Sequence, residues 1–274
     1  EISLGLVGSE MCIRDRFNLA RRIPGKEEFD ETVRWFGHRI EDTGVALRLS
    51  TPADAATLAG FDEVVLATGV RPRAVDFPGH DHPKVVGYAD VIRGRVVPGA
   101  RVAIVGAGGI GFDVAEFLAH AGPSATLDPE RWMREWGVDP TFERPGGLQP
   151  AQPPAPAREL WLLQRSPGRP GARLGKTTGW IHRAALKALQ VRMHGGVEYL
   201  RVDDAGFHVR IDGVDEALPV DHVVVCAGQE PHRPLRDALV GGSARVHVIG
   251  GADVAAELDA KRAIAQGTRL AATL

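Results

Sequence analysis

The stretch RVAIVGAGGIGFDVAEFLAHAG, residues 101–122, restricts this chain more than any other. Four apolar residues, Val102–Val105, run into Gly106-x-Gly108-x-x-Gly111, and helical spacing follows at Val114, Phe117 and Leu118. Strand, glycine turn and helix in that order form the dinucleotide-binding unit of a parallel α/β sheet. Gly106 permits the tight turn, Gly108 and Gly109 let a pyrophosphate reach the backbone, and Gly111 lets helix and strand pack closely.

Such a unit usually carries an acid about 20 residues on, for a ribose hydroxyl. Asp128 stands near that spacing, but SATLDPE is a poor second strand because it ends in Pro129. The convincing second strand is ELWLLQ, 159–164, and it ends in Arg165, with Arg169, Arg173 and Lys176 close behind. A guanidinium there suits a 2′-phosphate through bidentate, charge-assisted bonds, which favours NADP(H) over NAD(H). The alternative is a solvated loop of cations. RLGKTTGW, 173–180, is not a phosphate loop of the ATPase kind, since position 170, where glycine is needed, is Pro170. Lys176 and Thr177 can still meet a phosphate.

Elsewhere the periodicities are plain. Phe29, Val33, Phe36 and Ile40 predict a helix stopped by Gly44, and VALRL, 45–49, a short strand. FDEVVLATGVRPR, 61–73, carries a buried strand, and a connection flanked by Pro78, Pro83 and Pro98 leads to the fingerprint. Residues 123–157 hold so many prolines that an extended insertion with little regular structure is expected. HRAALKAL, 182–189, predicts a helix, and 197–220, broken by DDAG and DG, an antiparallel meander. DHVVVCAGQEPHR, 221–233, echoes the 61–73 segment: acid, apolar strand, a turn ending in Gly69 or Gly228, then a proline–arginine tail. In VIGGADVAAELDAKRAI a strand ends in Gly250-Gly251, Asp253 follows, and a helix begins near Ala255. In two-dinucleotide flavoproteins this unit places the aspartate on the ribitol of FAD, while its simpler role is to N-cap the final helix.

Composition excludes several classes. A net charge of −2 gives no case for nucleic acid or an anionic membrane, and no apolar run reaches the roughly 18 residues that span a bilayer. Two cysteines, Cys12 and Cys226, allow no disulfide framework or cysteine-rich metal cluster, and a cytoplasmic location is expected. His80 and His82 in GHDHP lack a third ligand nearby and read as loop residues. Residues 1–16 lack the charge and apolar core of a signal peptide and resemble a translated sequencing-adapter read; they are expected to be non-native or disordered.

From Phe17 onward the chain resembles the C-terminal part of bacterial NADPH-dependent 2,4-dienoyl-CoA reductases. The resemblance rests on FNLARRIPGKEEF, VAIVGAGGIGFDVAEFL, LQRSPGRPGARLGKTTGWIHR, VVVCAGQEP and VHVIGGADVAAELDAKRAIAQGTRLA. Trimethylamine dehydrogenase and other old-yellow-enzyme flavoproteins share the layout more loosely. The resemblance implies an α/β, Rossmann-like two-dinucleotide-binding flavoprotein, with a complete NADP(H)-binding domain (96–233) inserted in a partial FAD-binding domain (17–95 and 234–274). It also implies an upstream TIM barrel with FMN, a cysteine-bound 4Fe–4S cluster, and a first fingerprint for the FAD pyrophosphate before Phe17. NADPH on the Gly106–Gly111 turn would then pass hydride to FAD, and electrons would go singly through the cluster to FMN and the acyl-CoA. Lys26, Ala67, Gly69, Gly250, Gly251 and Asp253 are the implied FAD contacts; Gly228 and Gln229 would lie on the nicotinamide or flavin side. The alternatives are a flavin reductase module of another complex, as in a glutamate synthase small subunit, and a nucleotide-binding scaffold without turnover.

Overall fold

The computed structural model describes residues 5–8, 13–255 and 260–274, and the chain divides into two compact units. An inserted unit comprises 19–27 and 74–227; an outer unit comprises the first 18 residues, 28–73 and 228–274. The expected boundaries at 95/96 and 233/234 therefore differ from the observed ones, and the segment holding Lys26 lies in the inserted unit.

The inserted unit is built on five parallel strands in the order Val85–Gly87, His222–Val225, Arg101–Val105, Glu159–Leu163 and Arg192–His194. The central three are nearly continuous apolar runs because both faces are covered. On one face the fingerprint helix Gly109–Ala119 contributes Phe112, Val114, Ala115 and Leu118 to a core shared with Val102, Ile104, Leu160, Leu162 and Val224. On the other, Ala103, Val105, Trp161, Leu163 and Val223 pack with Phe77, Val202, Phe207 and Leu218. The last three belong to the expected meander, Glu198–Asp203, Gly206–Ile211 and Val214–Leu218, which is antiparallel throughout.

Two parts of this unit depart from the expectation. The proline-flanked connection contains the edge strand Val85–Gly87 and the helix Tyr88–Arg93. The proline-rich insertion contains the helix Pro129–Trp136, and inside it Asp139 is buried with its carboxylate accepting from the Thr141 and Arg144 amides. Pro129 opens that helix rather than ending a strand, at the position where the missing N–H costs nothing.

The outer unit is thinner. Glu63–Leu66 pairs in parallel with Arg245–Val248; Val64, Leu66 and Leu239 form a small buried apolar cluster, and Val70 and Ala252 are buried beside the strand ends. Val70–Pro72 pairs antiparallel with Gln229–Pro231, so the two echoing segments lie side by side through their tails. The helix Phe29–Asp42 forms as its period predicts, yet buries no residue, and Ala46–Leu49 is exposed along its length. Residues 1–16 are not wholly without regular structure: Gly5–Gly8 pairs in parallel with Ala46–Leu49, and the helix Ile13–Ala20 begins within them. Cys12 and residues 256–259, where the final helix was expected to start, lie outside the described residues; the helix Ala260–Ala271 follows. No helix among the described residues is long and apolar enough to cross a membrane.

Candidate nucleotide and flavin sites

The fingerprint turn has the geometry that its glycines predict. Gly106 sits at φ +108°, where a Cβ would stand 2.9 Å from the Cys226 carbonyl oxygen. A Cβ on Gly111 would overlap the Gly106 carbonyl oxygen, so strand and helix can cross there only without a side chain. Above Gly108 and Gly109 there is open space within 4 Å, and no side chain caps the helix. Free first-turn N–H groups under an open glycine surface are what a pyrophosphate needs. These residues fit a dinucleotide.

Asp128 plays no ribose-binding part: its carboxylate accepts from the Arg131 amide at 3.0 Å and N-caps the insertion helix. Arg165 follows directly on the second parallel strand, as expected. Arg165, Arg169, Arg173 and Lys176 are exposed, and their side chains make no hydrogen bond or ion pair among the described residues. Thr177 is exposed just before the helix Gly179–Ala188.

Lys26 is not free to serve a distant ligand. Its Nζ bonds both carboxylate oxygens of Asp113, at 2.6 and 2.7 Å, on the fingerprint helix. One turn further along, Glu116 is pushed up to about 7 by burial and by the charge of Asp113, partly offset by Lys26. Sequence reasoning passed over this acid, whose only signal was a carboxylate on the apolar face of a buried helix. Cys226, at the end of the strand beside the fingerprint, is buried, and burial raises its thiol. A cavity of about 470 Å³ opens at the far end of the helix, but its Arg22 and Arg158 are spent on backbone carbonyls of Ile92, Pro98, Gly99 and Leu118. No group of three metal-ligating side chains occurs among the described residues; His80 meets the Phe77 carbonyl and His82 meets Asp204.

In the outer unit the other predicted residues converge at the carboxyl ends of two neighbouring strands. Ala67 and Gly69 follow Glu63–Leu66; Gly250, Gly251 and Asp253 follow Arg245–Val248. Gly69 and Gly250 both take positive φ, +73° and +63°, and a Cβ on Gly251 would press within 3.3 Å of Gly69. Gln266 from the final helix ties this edge together, its Oε1 accepting from the Gly250 amide and its Nε2 donating to Asp253. Asp253 thus presents its carboxylate at the edge, bonded to Gln266. The backbone opens where a ligand can approach, which fits part of a flavin nucleotide site. Gly228 and Gln229 belong to the outer unit too; the Arg73 guanidinium occupies the place where a Gly228 side chain would be.

The comparisons agree with this geometry. A metal reductase of Desulforamulus reducens is 28% identical over 242 residues, which is 85% of this chain and 35% of that protein. The solved 2-naphthoyl-CoA reductase superposes with a TM-score of 0.78 at 21% identity, over 98% of this chain and 36% of its own. Histamine dehydrogenase from Rhizobium sp. 4-9 gives 0.71 at 16%, over 98% and 40%. The chain spans a little over a third of each. The pyridine nucleotide-disulphide oxidoreductase profile matches residues 39–248, crossing both units. A Rossmann-like flavoprotein fold, a glycine cradle fitted to a dinucleotide and this match give one conclusion: the chain belongs to the pyridine nucleotide-disulphide oxidoreductase family, as a flavin-dependent pyridine-nucleotide oxidoreductase module.

Proposed function

We propose that the chain is the NADPH-accepting part of a 2,4-dienoyl-CoA reductase acting in the oxidation of unsaturated fatty acyl-CoA. Arg165 carries the choice of nucleotide. It stands where an NAD-binding unit has its acid, on the end of the second strand, without a protein partner for its charge. An unpaired guanidinium there would bind a 2′-phosphate and leave a bare ribose hydroxyl nothing to accept its hydrogen bond. Gly106, Gly108, Gly109 and Gly111 would hold the pyrophosphate, with Lys176 and Thr177 near a phosphate. Ala67, Gly69, Gly250, Gly251 and Asp253 would hold FAD. Bound together, the nicotinamide supplies a hydride and the flavin accepts it; the chain's own residues bind and orient the two.

The acyl-CoA assignment rests on the sequence resemblance and on the fold shared with 2-naphthoyl-CoA reductase. The barrel with FMN and 4Fe–4S cluster is the proposed neighbour in the longer protein, and the cytoplasm its proposed place. The metal reductase relative supports a second reading, in which the same module feeds electrons to another acceptor. Arg165→Asp tests the nucleotide choice. NADPH affinity measured by fluorescence should fall about 100-fold and NADH affinity less than threefold, since one bidentate charged contact is worth about 3 kcal/mol. Equal losses would overturn it. Dienoyl-CoA reduction by the longer protein, against reduction of metal ions, separates the two acceptor readings.

A further inference from the structure

The loop that carries Arg165 is tied from two sides. The Gln164 amide donates to the His194 carbonyl and the Val197 amide returns to the Gln164 carbonyl, both at 3.0 Å. The Gly196 amide donates to Ser166 at 2.9 Å. The Gln164 side chain folds back into its own loop, Nε2 donating to the carbonyls of Ser166 at 3.0 Å and Gly168 at 3.3 Å. Tyr199, half-buried against Phe77 and Phe207, donates its hydroxyl to the Leu163 carbonyl at 3.2 Å. Gly195 completes the fit: a Cβ there would overlap the Gly168 carbonyl oxygen, a backbone atom that could yield only by moving the loop.

This bracing surrounds a loop with no counter-charge of its own. Between residues 160 and 197 there is no Asp or Glu, and Arg165, Arg169, Arg173 and Lys176 crowd the loop, whereas Arg192 beyond it pairs with Glu159 at 2.7 Å. Mutual repulsion alone would splay such a loop, and an anion would then have to order it on arrival, at a cost in affinity. The bonds above meet that need in advance.

We infer that the turn His194–Val197 and the Gln164 side chain are the positioning elements that set discrimination at the 2′ position of the nucleotide, and that Gly195 is glycine because any side chain would push Arg165's loop out of register. The inference rests on the reading of Arg165 as the 2′-phosphate ligand. These residues act through the loop and need not touch the nucleotide.

The test is binding of NADPH, NADH and 2′,5′-ADP to the full chain carrying Gln164→Leu, Gly195→Ala or Arg165→Ala, with melting temperature alongside. For Gln164→Leu and Gly195→Ala, affinity for NADPH and 2′,5′-ADP should each fall about tenfold while NADH stays within twofold, the signature of lost preorganisation at one subsite. A structural role alone would weaken NADPH and NADH together; that result, or no change for any ligand, overturns the inference. If Gly195→Ala does not fold, Gln164→Leu, which leaves the backbone alone, decides. Arg165→Ala separates the two levels of the argument. If it loses NADPH selectively and the positioning variants do not, the positioning role fails and the 2′-phosphate reading stands. If it weakens both nucleotides alike, the reading fails and takes the inference with it.

Discussion

The two units differ in what their strands touch. In the inserted unit Val102, Ala103 and Ile104 are fully buried, with a helix layer on one face and the meander on the other. In the outer unit Glu63–Leu66 has one buried face, Val65 is exposed, and the helix Phe29–Asp42 leaves Trp35 and Phe36 more than half exposed. A fully buried large apolar side chain contributes about 2 kcal/mol of transfer free energy and an exposed one very little. The inserted unit therefore holds its glycine cradle with packing of its own. The outer unit holds its strand-end edge chiefly with hydrogen bonds such as those of Gln266. Rigidity sits under the nucleotide cradle, and looseness under the proposed flavin edge.

The largest break in that comparison should come at the strand–helix crossing. Gly111→Ala places a Cβ against the Gly106 carbonyl, which cannot retreat without pulling the strand Arg101–Val105 with it. The variant should lose about 4 kcal/mol in urea unfolding, together with nucleotide binding. Phe36→Ala in the outer unit should lose less than about 0.5 kcal/mol, because its ring is 52% exposed. Similar losses for the two would erase the distinction.

Hydrogen exchange reads the same contrast without mutation. Amides of Val102–Val105 should exchange only through global unfolding, whereas those of Phe29–Asp42 should open locally at about 2 kcal/mol or less. Equal protection in both would mean that the outer helix has support which its burial pattern does not reveal.

Much of this contrast was legible in the sequence. The central strands are continuous apolar runs, and a GxGxxG between a strand and a helix leaves one geometry for its glycines, so both cradle and meander were readable locally. What escaped was set by tertiary context. Pro129 looked like a breaker because a proline ending a weak strand and one opening a helix share the same letters; the Asp128 cap separates them. Lys26 was a flavin contact only by resemblance, and no local signal could show its pairing with Asp113, 87 residues away. The amphipathic period of Phe29–Asp42 announced a helix correctly but could not say how deeply its apolar face is covered: Phe29, Val33 and Ile40 are only half-buried.

The pH dependence of unfolding sharpens the comparison, since the inserted unit buries an acid. Glu116 titrates near 7 when folded and near 4.5 when unfolded. Between those values the folded state binds more protons, so stability falls as pH rises from about 4.5 to 7 and levels off above. The full shift is discounted for the carboxyl's residual solvent contact, leaving about 2 kcal/mol between pH 5 and pH 8. Glu116→Gln should flatten that slope, and a variant with the slope unchanged would place its source elsewhere.

The smallest effect bears on the outer unit alone. Gly37 lies in the interior of the helix Phe29–Asp42, and a Cβ there meets nothing within 4 Å. Alanine restricts the unfolded chain more than glycine does and is favoured in a helix interior. Gly37→Ala should therefore raise stability, but only if the helix is formed when the molecule unfolds as a whole. This helix is held by local terms: Asp30 and Glu31 in its first turn, and the pair Glu31–Arg34, fully on the surface, where such pairs contribute a few tenths of a kcal/mol. A gain near 0.7 kcal/mol in urea melts would place the helix inside the cooperative unit despite its bare face. No gain would mean that it frays independently, and the boundary between rigid and loose structure would then run through the outer unit itself. A loss would require a packed neighbour at Gly37, where the structure leaves open space for the added Cβ.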